Sequence, residues 1–314
     1  MVEKSYRLWR SCEEDALAID EIMTRALPHL PRPLPGSTLM VTSRLIQGIE
    51  DGAWLALDEN KPIGVVIVSL LPDPRTPRIA GGVLPEYQRK GVGRQLLENA
   101  LNAISSCSVD GIRAQWFNSN ARSSTFMQHA RFEIRDRIFW SQFDLSSPNP
   151  ARAVEAFRRV DGDGIRICDA VTFKTLREDW AEAWWRLSMG ALRDIPSDIP
   201  VVEIPFETFR AQLLAPDKVL PLTLFALDGV NPVGEITLMR QSEANFNIQT
   251  TCVERGYRRR GISLALKSSV MNLARSHGGV RLTTQNHQRN PMLMINRSLD
   301  FKHLDTQIDG YRAT

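Results

Sequence analysis

Apolar positions along this chain alternate between two periods, and the order of the periods repeats. Residues 13–27, EEDALAIDEIMTRAL, place Ala16, Ile19, Ile22 and Met23 on one helical face and open on acidic residues that suit a helix N-terminus. A short strand, YRLW, precedes them. AWLAL and IGVVIVSLL then read as the strands of a hairpin turning at DENKP, followed by a strand RIAGGV and an amphipathic helix GVGRQLLENALNAISS. The same succession returns in LTLFALDGVNPVGEITLM, NFNIQTTCV and GISLALKSSVMNLARSH.

The return is literal in places. ALDENKPIG at 56–64 reappears as ALDGVNPVG at 226–234, a shift of 170 with five of nine positions identical. The same shift lays VLPEYQRKGVGRQLL (83–97) on VERGYRRRGISLALK (253–267), matching Val83 with Val253, Tyr87 with Tyr257, Arg89 with Arg259 and Gly91 with Gly261. GIRAQWFN (111–118) then answers GVRLTTQN (279–286) at a shift of 168, as loops of unequal length require. Both copies run on through an asparagine-bearing segment to Phe132 or Phe301. Between them DLSSPNPA (144–151) breaks the periodicity, so the expected domains are residues 1–148 and 149–314. The expected fold class is α+β, with a mixed α/β sheet in each of two tandem domains.

Composition narrows the partners. With 314 residues, 43% hydrophobic and 24% charged, the chain has material for two globular cores, and its net charge of +3 is far below what a nucleic-acid or membrane-surface binder carries. Cys12, Cys107, Cys168 and Cys252 lie far apart without a CxxC pair, and the five histidines make no metal-ligand spacing with them, so no metal is expected. The N-terminal residues lack an apolar signal core and no run is long enough to span a bilayer, which makes the cytoplasm the expected compartment. In DWAEAWWRL, Trp180, Trp184 and Leu187 form a helical stripe that reads as core, and DIPSDIP (194–200) reads as a loop.

In both copies a strand ends, a basic glycine-bearing turn follows, and an amphipathic helix begins within the turn. The first amides of a helix have no partner inside it and the helix dipole is positive there, so phosphate oxygens can take several hydrogen bonds at once. Gly91, Gly93 and Gly261 let that backbone come close. Hydrogen bonds to a charged group contribute roughly 1.5–3 kcal/mol each, against about 0–1 for exposed ion pairs, so the amides should dominate and the arginines assist. Neither GxxxxGK[ST] nor GxGxxG occurs around these turns, which removes the P-loop and the Rossmann fingerprint. A solvated turn is the bland alternative for Arg258–Arg260.

Gln88-Arg89-Lys90-Gly91-Val92-Gly93 and Arg258-Arg259-Arg260-Gly261-Ile262-Ser263 resemble the Q/R-x-x-G-x-G/A signature of the GNAT acyltransferases, the second departing at Ser263. The resemblance covers nearly the whole chain twice, and the second copy is similar to the C-terminal halves of tandem GNAT proteins of the mycothiol synthase type. It implies acetyl-CoA in a cleft between the fourth and fifth strands of a domain, with its pyrophosphate on residues 88–93 or 258–263. Its pantetheine arm would lie beside Val83 or Val253. Thr251 and Val253, or Gly82 and Val83, would come nearest the thioester, with Asn118 or Asn120, and Asn286 or Asn290, opposite.

Acyl transfer to an amine needs that amine neutral, and holding a lysine-like amine neutral at pH 7 costs about 4.6 kcal/mol, so a base is expected. The fourth strands RIAGGV and NFNIQTTCV carry no carboxylate; Glu235 on the preceding strand is the candidate, with Glu243, Glu254 and Glu86 behind it. Many family members place a tyrosine five residues before the final Phe as general acid, but Met127 and Asn296 stand there, and the usual glycine before that Phe is Arg131 or Asp300. Asn296 can donate a hydrogen bond to sulfur without supplying a proton. Tyr87 and Tyr257 read as packing residues with a wet hydroxyl, and Cys252 as core. The expectation is an acetyl-CoA-dependent N-acetyltransferase acting on a primary amine of a small molecule, with the second copy catalytic. A non-catalytic acyl-CoA-binding module or sensor and a protein N-terminal acetyltransferase are the alternatives.

Overall fold

Glu59 and Asn60 take left-handed backbone angles, φ 47° and 70°, and so turn the chain sharply enough to close the first hairpin. The structure, a computed structural model, describes residues 4–26, 52–70, 75–105, 107–194, 196, 203–214 and 222–314. Of the expected 194–200 loop, only Asp194 and Pro196 are among them. The chain forms two compact units, residues 1–137 with 306–314, and residues 138–305.

The first unit contains β1 (Ser5–Leu8), α1 (Glu13–Ala26), β2 (Ala53–Asp58), β3 (Lys61–Ser69), β4 (Arg78–Val83), α2 (Val92–Ile104), β5 (Gly111–Phe117) and α3 (Ala121–His129). Its strands β1 to β5 pair in sequence order, all antiparallel except β4 with β5. The alternation in β3 decides the layers. Val66 and Val68 pack with Leu96 and Ala100 of α2, while Val65 and Ile67 pack with Ile19 and Ile22 of α1, so one helix covers each face.

The second unit begins within β6 (Glu133–Asp144). It continues through α4 (Ala151–Gly162), β7 (Ile165–Asp169), α5 (Ala170–Leu176), α6 (Trp180–Leu192), α7 (Phe206–Leu214), β8 (Leu222–Asp228), β9 (Asn231–Arg240), β10 (Asn245–Val253), α8 (Ile262–Ser276), β11 (Arg281–His287) and α9 (Met292–Ser298). Its sheet runs β6-β11-β10-β9-β8-β7. Leu266, Val270 and Ala274 of α8 pack on Phe246, Ile248 and Leu282 on one face. On the other, Trp180, Trp184 and Leu187 form the buried stripe that their spacing predicts, and Trp184 meets Phe225 edge-on with centroids 5.0 Å apart.

These units are not the halves 1–148 and 149–314 that the sequence suggests. The strand that follows the first repeat, β6, lends Ile138–Asp144 to the second unit, antiparallel to His287–Arg281 of β11. The last strand, β12 (Lys302–Ala313), lends Gln307–Ala313 to the first unit, antiparallel to Phe117–Gly111 of β5. Each of β5 and β11 carries an edge that must find hydrogen bonds, and each finds them on the strand grown by the other copy. Ile308 is 2% exposed in the first core. Burial of such a side chain stabilises by about 1.5–3 kcal/mol, and each ladder bond by about 0.5–1.5. Deleting residues 306–314 is therefore expected to abolish the cooperative calorimetric transition of the first unit; an unchanged thermogram would contradict the exchange.

Candidate active site

In each unit two parallel strands start as neighbours and then part. β4 pairs with β5 at Arg78–Arg113 and Ile79–Ala114, and among the described residues Ala80–Val83 have no partner on β5 although they stay paired to β3. β10 pairs with β11 from Asn245 to Ile248, and Thr250–Val253 continue only along β9 after a register shift. The parted edges present backbone donors and acceptors to a gap. An extended arm bearing amides can enter such a gap as a short pseudo-strand.

The basic turns close the gap at one end, and they are the same object built twice. Leu84 and Glu254 donate their amides to Ile63 and Val233, each at 2.9 Å, and a single 3-10 turn follows at Pro85–Tyr87 and Arg255–Tyr257. Arg89 and Arg259 are left-handed at φ 63° and 64°, as are Gly91 and Gly261 at 84° and 89°. Gly91 and Gly261 stand at the N-termini of α2 and α8 without any side-chain cap. The buried side chains of Val92 and Ile262 anchor the first turn inward, leaving its amides at the turn's mouth. Nothing lies within 4 Å of a Cβ built on Gly91. That open, uncapped, positively polarised backbone fits a phosphate group.

Gln88 Nε2 donates to the Val83 carbonyl and Arg258 Nε to the Val253 carbonyl, both at 3.0 Å. Glutamine and arginine are interchangeable here because each returns a nitrogen donor to the strand end. Arg258 and Arg255 also hold Asp194, at the end of α6, and hydrogen bonds from Arg255 and then Arg258 keep its carboxyl well below the usual carboxylate range. Arg260 stacks over Tyr257 at 5.0 Å and Lys90 over Tyr87 at 5.2 Å, and Tyr257 Oη donates to Asp228 at 2.6 Å. The triple arginine is thus a tether, a left-handed corner and a stack. A Cβ built on Gly93 makes only ordinary contact with Val83 and Phe126, so this place admits a residue such as Ser263. Arg159 of α4 lies over Gly261, its Nη2 2.6 Å from a Cβ built there, and adds a cation to the second turn.

Glu235 projects from β9 toward α6, the face opposite α8; its neighbour Gly234 faces Ile262 and Leu266. It is 2% exposed, and Ser188 Oγ of α6 donates to its two oxygens at 3.0 and 3.1 Å. Burial pushes its carboxyl up to about 7, partly offset by hydrogen bonds from Ser188, Trp184 and Cys252. Cys252, its register partner, is buried with a thiol raised by the same desolvation, which suits a core residue. Glu86 is exposed and paired with Arg25 at 3.0 Å, and Glu243 and Glu254 are exposed.

On the α8 face, buried Asn296 of α9 gives its Nδ2 to Asn286 Oδ1 of β11 at 2.7 Å. Thr251 and Val253 lie on the parted stretch of β10. Asn120 and Asn290 serve the chain itself, Asn120 accepting from the Ser123 amide at 3.1 Å as the cap of α3 and Asn290 accepting from the Met292 amide at 2.9 Å in the turn before α9. In the first unit the repeat places Val65 where the second has Glu235, Leu97 where it has Lys267, and Met127 where it has Asn296. A Cβ on Gly82 would come within 2.4 Å of Ala26, so α1 closes over β4 there. Ser188, Lys267 and Arg159 escaped the sequence reading; only Lys267 left a signal, a lone charge among Ala265, Leu266, Val270 and Met271.

Among the described residues no group of three or more His, Cys, Asp or Glu is placed to hold a metal, and no helix is long and apolar enough to cross a membrane. Residues 50–133 match the model of the acetyltransferase (GNAT) domain. No curated protein matches the chain. A GCN5-related N-acetyltransferase from Sphaerobacter thermophilus has a similar structure, with TM-score 0.71 and 17% identity over 99% of this chain and 95% of that one. A tandem GNAT protein from the clavulanic acid biosynthesis pathway gives 0.70 and 15% over 99% and 98%. N-myristoyltransferase of Saccharomyces cerevisiae, with bound myristoyl-CoA and inhibitors, gives 0.61 and 7% over 100% and 82%. Residues 50–133 therefore carry an acetyltransferase (GNAT) domain, and the chain has the GNAT fold of tandem GNAT proteins.

Proposed function

We propose that this protein transfers the acetyl group of acetyl-CoA to a primary amine of a small molecule, and that the second unit performs the transfer. The observation that carries the reading is the polar equipment of one cleft and not the other: Glu235 with Ser188 on one face of the second sheet, Asn296 with Asn286 on the other, against Val65 and Met127 in the first. Acetyl-CoA supplies an acyl carbon activated by a thiolate leaving group. The turn at Arg258–Ser263 would hold the diphosphate on backbone amides with Arg159 beside it, and the parted edges of β10 and β11 would take the arm.

An amine approaching from the α6 side meets Glu235. A carboxylate of pKa about 7 is matched to neutral pH as a general base, and it takes the proton that the nitrogen must lose. Asn286 and Asn296 face the opposite side, where sulfur departs. The likeness of the second copy to the mycothiol synthase type belongs to this proposal too, as a likeness of motif.

The first unit favours a second role. It has the complete turn Gln88–Gly93 without the polar cleft, and we read it as an acyl-CoA-binding module. Acetylation by acetyl-CoA of a panel of small amines and of peptide N-termini, read by mass spectrometry, tests the function. Acetylated small amines with release of CoA are expected; acetylation confined to peptide N-termini would overturn the small-molecule acceptor, and stoichiometric binding without release would overturn the enzyme.

A further inference from the structure

We propose that Lys267 donates the proton to the departing thiolate in the second unit, with Asn296 holding the sulfur beside it. The proposal rests on the reading that this unit transfers acetyl from acetyl-CoA.

Lys267 sits on α8, the helix that starts at the cofactor turn, and is fully buried. Its Nζ has no hydrogen-bond partner and lies 5.3 Å from the centroid of the Phe301 ring. The Phe301 amide donates to the Asn296 carbonyl at 3.1 Å, and the Asn296 side chain, tied through Nδ2 to Asn286, has an unpartnered Oδ1. Two unsatisfied polar groups thus meet through Phe301, Lys267 over its ring and Asn296 on its amide, and Asn286, which holds Asn296, lies on β11 beyond the stretch paired with β10. Buried polar groups in folded proteins nearly always have partners, so an orphaned pair calls for an explanation.

The repeat supplies a control. At the equivalent places the first copy has Leu97 and Met127, both partly buried and packed against its core, so apolar residues are accommodated in this part of the fold. A lysine here is a burden on folding that a ligand would relieve.

Burial pushes the Lys267 ammonium down to about 7, and desolvation is the sole cause: no charged group from α4, β8, β9, β10, α9 or the start of β12 perturbs it. A donor of that acidity loses its proton downhill to a thiolate whose ordinary pKa is about 8.5. In the step, the neutral amine nitrogen bonds to the acetyl carbon and the C–S bond breaks with its electron pair on sulfur. Sulfur takes the proton of Lys267, the acceptor nitrogen gives its own to Glu235, and solvent restores both groups. The products are an amide and CoA as the thiol.

The test is Lys267→Met, with CoA alone as the first probe. Titration of bound CoA by its ultraviolet thiolate absorbance is expected to show a thiol at least about one pH unit lower in the wild-type complex than in the variant. Any contribution from the first unit is common to both. The free variant should melt at a higher temperature. With acetyl-CoA and an amine, kcat should fall about 100-fold while KM for acetyl-CoA stays within about threefold, and the fall of kcat at high pH should vanish. Equal thiol titrations, or an unchanged kcat, would overturn the proposal. A shifted thiol with no turnover on any amine would overturn the transfer reading instead, and leave Lys267 as the group that binds the sulfur.

Discussion

Replacing Glu235 with glutamine is expected to lower kcat by about 10²–10⁴-fold with little change in KM for acetyl-CoA, the loss typical of removing a general base. Glutamine keeps the shape and can still accept from Ser188, but it cannot take a proton. On its acid side, wild-type activity should rise with pH toward about 7, where the Glu235 carboxyl ionises. Stability should move the other way. A carboxyl whose folded pKa is raised from 4.5 to about 7 contributes stability that is fully present below 4.5 and is lost as pH rises through 7. The difference is roughly 3 kcal/mol at about 1.36 per unit. Glu235→Gln should therefore melt progressively above the wild type between pH 4.5 and 7 and hold that advantage beyond. Wild-type kcat in the variant would remove Glu235 from the chemistry.

A comparable loss is expected at the cofactor turn. Gly91→Glu and Gly261→Glu each put a side chain on a left-handed residue, at a cost of about 1–2 kcal/mol, and a carboxylate where phosphate would bind. If two or three amide bonds to the diphosphate are displaced at roughly 1.5–3 kcal/mol each, affinity at that site falls more than about 100-fold. Calorimetry with acetyl-CoA should give two sites in the wild type and one in each variant, with a melting curve to confirm that the protein is folded. Loss of all binding from a single change would contradict the two-site reading.

The strand and helix pattern was legible because hydrophobic periodicity is local, and the turns were legible because they are written twice with the same glycine. The exchange of β6 and β12 was not: each reads as an ordinary strand after its own repeat, and the partner of an edge is decided by tertiary structure. Glu235 could be found because it was the carboxylate next to Gly234, but its partner Ser188 lies 47 positions away in an aromatic helix. Arg159 belongs to α4, a helix with no counterpart among the described residues of the first repeat. The side chains of Gln88 and Arg258 tie the turn to the strand end, a role that only three-dimensional contact reveals.

The most direct test of the central claim is CoA release under saturating acetyl-CoA with a reactive small amine, measured side by side for the wild type and Gly261→Glu. Multiple turnovers by the wild type, reduced at least about 100-fold by Gly261→Glu, are expected if the second unit is the transferase. Equal turnover by the two proteins would contradict it.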